Sequence, residues 1–438
     1  MSVKHPCQQE PAAQVATGAG DRRRVAVRRV DECKTLDELF THCLPAFGGA
    51  YLRRLYTILD QAIGLGCPLT LSIAGPVTVS GQHQTWLIPL LETGWVAYLS
   101  TTDAVCYHDG HRSLDAHKEG PIFEVPIFGD DGALRDERTI RVTDMAFDED
   151  VLFDQDRFLS ACLARPEFQH RMTGTELRYL LGAIYDAQER QNGVSSGLLA
   201  TCHRMAVPIF VGAPGDGSVF LNSMKLWAMR KAGMIEGYDF ELDLHEEVFE
   251  SCAYHYWGLF DQPSRSLATV VLGGGVPKNF SLQPEPAMGQ VLGLPDITGY
   301  TFDVQIVTAP MTEGSLSSCS PGEAVTWGKV NRETYAQTTE SLHSDYSIVM
   351  PFLVRALLEN RERYATWAER MGEEELFQRH PKARGYLRPR DGYRLYERRG
   401  GLCERLLGEV KKNQEWLLDT LRYPLAAPAP APAPGPGR

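Results

Sequence analysis

The sequence predicts an α/β protein whose mostly parallel central sheet is flanked by helices, and three observations point there. Short apolar runs alternate with longer amphipathic ones, the order expected of βαβ units. The apolar runs are rich in β-branched residues. Each closes on small or polar residues, as strands do where an open α/β sheet binds its ligand.

Taken in order, Leu69–Ile73 reads as the first buried strand and residues 84–91 as the helix after it. Residues 96–100 and 207–211 read as the next two strands, the second followed by a helix over 221–231. Ala268–Leu272 and Phe302–Val307 are two further strands. A last strong helix is expected from about 347 to 370, with Leu353, Leu357 and Leu358 on its apolar stripe. The strand ends are Ala74-Gly75, Ser100-Thr101-Thr102, Gly212 to Ser218, Gly273 to Gly275, and Thr308-Ala309. Glycines at such ends let phosphates approach backbone N–H groups and helix N-termini, so a dinucleotide site fits, although G-x-G-x-x-G is absent.

The 438 residues, 43% of them hydrophobic, suffice for one large core or two ordinary ones. No repeat or linker interrupts residues 35–425, so one catalytic domain is the simplest organisation. A formal charge of -12, from 44 basic and 56 acidic residues, disfavours nucleic acid and mildly favours cationic ligands such as polyamines. The apolar stretches fall short of the roughly 18 residues that span a bilayer, so no membrane partner is expected. Arg22 to Arg24 have no apolar region beside them and read as a solvated tail, not a leader. Ten cysteines without a C-x-x-C pair indicate reduced thiols in a cytoplasmic protein, with neither zinc ribbon nor disulfide framework. Residues 1–34 and the Pro-Ala-Gly tract 426–438 are expected to be disordered. The Arg-rich stretch 379–399, with Tyr386, Tyr393 and Tyr396, reads as a solvated surface excursion.

Three segments carry the chemistry: Gly212-Ala-Pro-Gly-Asp-Gly-Ser218, Leu272-Gly-Gly-Gly-Val-Pro-Lys-Asn279 and Glu323-Ala-Val-Thr-Trp-Gly-Lys-Val330. Together, in this order, they resemble the deoxyhypusine synthase family, with the likeness running over roughly 35–359. The resemblance implies a Rossmann-like NAD-binding fold, assembled as a homotetramer (a dimer of dimers) with active sites between paired subunits. It implies that NAD oxidises the secondary amine of spermidine, that Lys329 takes the four-carbon fragment as an imine with release of diaminopropane, and that a second amine then receives it.

The residue types suit that sequence of steps. A lysine amine is a nucleophile only when neutral, which a desolvated site favours, and an indole two residues away is a good wall for it. Trp327 is that residue, and its ring face suits a cationic substrate. Glu323, Glu313 and Asp345 match acidic positions that grip protonated amines, although Asp345 equally suits a plain helix N-cap. For the dinucleotide, Asp216 in the turn with Gly217 and Ser218 matches a ribose-binding aspartate, and Gly273, Gly274 and Gly275 match close-approach glycines. Ser100, Thr101 and Thr102, then Thr308 and Ala309, then Ser315 and Ser317, match further cofactor contacts. His108-Asp109-Gly110-His111 is too loosely spaced for a metal site. Against the family pattern, His108 and Asp109 imply a substrate-pocket wall.

Two positions depart from the family pattern. Asn279 stands where protein-modifying members carry a histidine, and an amide is no general base near neutral pH. Leu316 stands where an acid would anchor a terminal ammonium. The Pro-Lys-Asn-Phe form resembles the bacterial deoxyhypusine synthase-like branch, which implies spermidine as donor, putrescine as acceptor and homospermidine as product. Alternatives are a true deoxyhypusine synthase acting on a translation-factor lysine, a related enzyme using another amine or guanidine, and a non-catalytic binding protein.

Overall fold

The computed structural model describes residues 25–115, 120–364 and 392–425. β1 (Leu69–Ile73) and β2 (Val96–Thr101) are followed by β3 (Phe123–Glu124), β4 (Thr139–Val142) and β5 (Met145–Asp148), which form a small antiparallel sheet in the order β3-β5-β4. β6 (Arg171–Met172) pairs in parallel with β8 (Glu241–Leu242), while β7 (Ile209–Val211) belongs to the main sheet. With β9 (Ala268–Leu272), β10 (Phe302–Val307) and β11 (Thr339–His343), that sheet has six parallel strands in the order β11-β10-β9-β1-β2-β7. The predicted class is thus the observed one.

The sheet buries both faces, and the two differ in chemistry. Leu69, Leu71, Ile73, Leu99, Val270, Leu272, Val304 and Ile306 share one core with the helices Phe47–Gly64, Gly174–Asn192 and Tyr346–Glu359. Because side chains alternate along a strand, the intervening residues look the other way. There stand Thr70, Ser72, Tyr98, Ser100, Thr269, Asp303 and Gln305, all buried, in register across four strands. Tyr98 and Tyr300 share a hydrogen bond of 3.0 Å, Thr70 donates to Tyr300 at 3.1 Å, and buried His255 lies 2.8 Å from buried Glu285.

Several expected bounds shift. The third expected strand starts at Ile209, because Pro208 has no N–H for the ladder. The helix expected over 221–231 is Ser218–Lys231, since Asp103 accepts from Val219 N at 2.7 Å and caps it earlier. The helix expected over 84–91 opens as a wider turn, His83–Leu87, before Ile88–Leu91. The last helix closes at Glu359, and residues 365–370 lie outside the described residues.

Of the expected tail 1–34, residues 1–24 lie outside the described residues, as do 426–438 and 379–391 with Tyr386. The part from 25 to 34 is corrected, since Val30–Glu32 forms a short helical turn and Lys34 N donates to Glu38 at 2.6 Å. The expected surface excursion is corrected for its last eight residues. Tyr393 is buried with its ring 5.4 Å from Trp257, and Tyr396 stacks on Tyr179 at 3.8 Å. Aromatic area of that kind stabilises when covered, so the chain returns to the core here. Nine cysteines are free thiols among the described residues, and the sulfurs of Cys33 and Cys43 lie 3.3 Å apart.

Candidate active site

The expected site residues fall into two groups joined by the helix Gly275–Ser281. The first lies at the carboxyl ends of the strands. Gly75 has φ 91°, Gly273 φ 63° and Gly274 φ 60°, so both turns adopt backbone that other residues resist. A Cβ on Gly274 would stand 2.1 Å from the Ala74 Cβ, so this glycine lets the two strand ends close together. Gly274→Ala is expected to cost about 3 kcal/mol and to weaken dinucleotide binding, which a thermal melt and an NAD titration would report.

Tyr346 roofs these turns, its hydroxyl donating to Ala74 O at 3.0 Å. Beside it a cavity of about 700 Å³ is lined on one side by Ser80, Gln82, Asp345 and Ser347 and on the other by Glu124 and Asp144 of the small antiparallel sheet and its turn. Asp345 both lines this cavity and caps the helix Tyr346–Glu359, accepting from Ser347 N at 2.8 Å. The open glycine turns can offer backbone N–H groups to a dinucleotide's phosphates, whereas the cavity beside them, with the carboxylates of Glu124, Asp144 and Asp345, suits its sugar hydroxyls or a cationic group.

Other expected contacts serve the frame. The buried Ser100 hydroxyl donates to Pro277 O at 3.0 Å and that of Thr101 to Ile73 O at 2.7 Å, so neither faces the cleft. Thr102 is half-buried at the start of the helix Asp103–Leu114. Asp216 is exposed in the loop after β7, with Ser218 opening the next helix. A Cβ on Gly217 would strike Asp103 at 2.0 Å, and one on Gly212 would meet Val276 at 3.0 Å, so this loop packs onto both neighbours.

The second group surrounds Lys329. After β10, Thr308 is exposed and Ala309 half-buried. Ser315 hydrogen-bonds the Glu313 carboxylate and lies 2.6 Å from the Ser317 hydroxyl. A Cβ on Gly275 would lie 3.5 Å from Leu316 and 3.6 Å from Ser317 N, which docks this loop on the joining helix. Glu323 is exposed in the short helix Pro321–Ala324. Gly328, with φ 71°, turns the chain so that Lys329 N donates to Ala324 O and Lys329 O accepts from Tyr300 N.

The Lys329 ammonium stands 5.8 Å from the centre of the Trp327 ring, within cation–π range. Trp327 is 66% exposed and Lys329 half-buried, so the dry wall expected around the lysine is open within one chain. Asn279 is half-buried on the joining helix, and its neighbour Lys278 is buried. Burial pulls the Lys278 amine below its ordinary range; Asp303, Cys319 and Glu323 oppose this, and the charge of Lys329 adds to it.

His108 and Asp109 line neither group. His108 packs edge-on against His111 at 4.8 Å, and the fully buried Asp109 accepts from Leu198 N and Leu199 N, both at 2.8 Å. Among the described residues no three His, Cys, Asp or Glu side chains are grouped as a metal requires. No described helix is long and apolar enough to cross a membrane.

Sequence reasoning missed Asp103, Tyr346, Asp303 and Gln305, and gave Lys278 no role. A usable signal was present: Asp303 and Gln305 stand two apart in an otherwise apolar strand, the period of a second, polar face.

Comparison with known proteins identifies the family. The deoxyhypusine synthase family profile matches residues 37–357. A deoxyhypusine synthase-like protein of Nostoc punctiforme is 36% identical over 325 residues, 74% of this chain and 78% of that protein. One from Cyanothece sp. is 34% identical over 343 residues, 76% of this chain and 82% of its own length. One from Thermosynechococcus vestitus is 32% identical over 408 residues, 92% of this chain and 90% of the relative. The chain belongs to the deoxyhypusine synthase family and is accordingly an NAD-dependent enzyme that transfers an aminobutyl group.

Proposed function

We propose that the enzyme moves the four-carbon aminobutyl group of spermidine to a small diamine such as putrescine, through an imine on Lys329, and so makes homospermidine. One observation carries the reading: the Glu323–Lys329 turn places an amine over an indole face, beside the helix that carries Lys278 and Asn279. NAD, when bound, would supply a reversible hydride acceptor. Trp327 holds the cationic substrate on its ring face, and the carboxylates of Glu323 and Glu313 offer partners for terminal ammonium groups. Asn279 orients an amine without taking its proton. Leu316, 40% exposed, presents carbon where a further ammonium anchor would stand, which favours a short acceptor.

We place the completed site between two chains of a tetramer. In support, Trp327 is largely bare, as are Ile348 and Phe352 on the helix after Asp345. Large exposed apolar residues so placed mark surfaces that another chain covers. A partner would supply the dry wall that one chain lacks. The cytoplasm is the compartment we assign, where free thiols stay reduced.

Incubation with NAD, spermidine and putrescine, with and without borohydride, tests the reading by mass measurement. The expected results are an adduct on Lys329 and free homospermidine. An adduct with no homospermidine, discharged only onto a protein lysine, would replace the small acceptor by a protein one. No adduct at all would remove the lysine chemistry.

A further inference from the structure

We propose that Lys278 Nζ receives the proton that the substrate amine must lose, with Asp303 as the positioning residue behind it, a role that rests on the lysine-imine reading above. The hydrogen-bond arithmetic at Lys278 is the first support. Its Nζ donates to Gln305 Oε1 at 2.9 Å and to the Cys319 carbonyl. Gln305 is held in that orientation by donating from Nε2 to the Ser341 hydroxyl at 2.7 Å. A neutral amine has two N–H donors, both satisfied here, and keeps one lone pair free; an ammonium has a third N–H to place. These two acceptors therefore satisfy the neutral amine completely and leave the third N–H of an ammonium to be placed.

Asp303 is the second support. It lies two residues before Gln305 on the same face of β10, is buried, and its Oδ1 accepts no hydrogen bond among the described residues. A buried carboxylate without donors is costly unless a positive charge or a proton compensates it. The groups facing the pair are Glu285 beyond the joining helix, Cys319 and Glu323 in the segment after β10, and Lys329 itself. Burial lowers the Lys278 amine and pushes the Asp303 carboxyl up to about 7, so burial works against the pair carrying both charges.

The step balances without an added reagent. The secondary ammonium of the substrate passes one proton to neutral Lys278, leaving a free amine and a Lys278 ammonium whose charge Asp303 offsets. No electron moves. The free amine is the form able to give up hydride, and an amine product leaving as ammonium takes the proton back. Asn279 is thus relieved of the base role.

The test follows formation of the borohydride-trapped Lys329 adduct from pH 6 to 9, with NAD and spermidine saturating. Lys278→Met is expected to slow it about 100-fold at pH 7 and Asp303→Asn about 10-fold. Both are expected to approach the wild type by pH 9, where the substrate sheds its own proton. A second readout needs neither NAD nor substrate. Asp303 has its carboxyl raised on folding, so its stabilising contribution is present below the ordinary value of 3.8 and lost as pH rises through about 7. The wild type's melting temperature relative to Asp303→Asn is therefore expected to fall between pH 4 and 7 and to level off above. A pH profile parallel to the wild type in both variants, or a melting offset independent of pH, overturns the proposal. Absence of adduct in the wild type instead overturns the lysine-imine reading.

Discussion

Lys329→Ala is expected to abolish the borohydride-stable adduct and to lower turnover by about 1,000-fold or more, while NAD affinity stays within about threefold of the wild type. The separation follows from the two groups of residues. Lys329 is fixed by Ala324 and Tyr300, whereas the glycine turns that suit the dinucleotide stand at the carboxyl ends of β1 and β9. Lys329→Arg keeps a cation over the Trp327 ring yet has no amine able to form an imine. It is expected to be as inactive as Lys329→Ala but to retain spermidine binding better, measured by calorimetry. If Lys329→Ala turned over at near the wild-type rate, direct transfer between amines would replace the covalent route.

How much of this was legible in the sequence depends on which face of the sheet a residue occupies. The apolar runs at 69–73, 268–272 and 302–307 marked strands with correct bounds, because one face of each packs into a single hydrophobic core. β11, Thr-Glu-Ser-Leu-His, has one apolar side chain in five and sits at the edge, so no hydrophobic pattern announced it. The helices Phe47–Gly64 and Leu244–Tyr256 were missed although both pack on the sheet or its covering layer. The Gly-Gly-Gly and Glu-to-Lys segments were readable as chemistry because their spacing is local. Lys278 and Asp303 were not, since their relation exists only once the joining helix, packed on β1 and β2, extends the Lys278 side chain to Gln305 of β10. The same applies to Ser100 and Thr101, whose hydroxyls matched a cofactor pattern but bond backbone carbonyls that only folding brings near. A motif names residue types, whereas a direction in space needs the sheet register.

Asp109 offers the sharpest stability test, because its sequence-based role and its place in the fold predict different outcomes. Its carboxylate receives the first two free N–H groups of the helix Leu198–Met205 in a fully buried setting, and His83 Nε2 lies 3.5 Å away. Asp109→Ala leaves both N–H groups buried without an acceptor, at roughly 1–3 kcal/mol each, so a loss of about 3 kcal/mol or more is expected in chemical denaturation. Asp109→Asn keeps one acceptor oxygen and is expected to cost less than half of that. Burial pushes the Asp109 carboxyl up to about 6, only partly opposed by those two N–H groups. A carboxyl raised on folding binds its proton more tightly in the native state. Its stabilising contribution is therefore full below the ordinary value of 3.8 and is lost as pH rises through about 6. The wild type is accordingly expected to lose stability relative to Asp109→Asn between pH 4 and 6. His83, which burial holds down at about 4, titrates in the same window in both proteins, so the comparison with Asp109→Asn removes most of its effect. Unchanged stability in Asp109→Ala, together with a raised KM for spermidine, would instead return this residue to the wall of the substrate pocket.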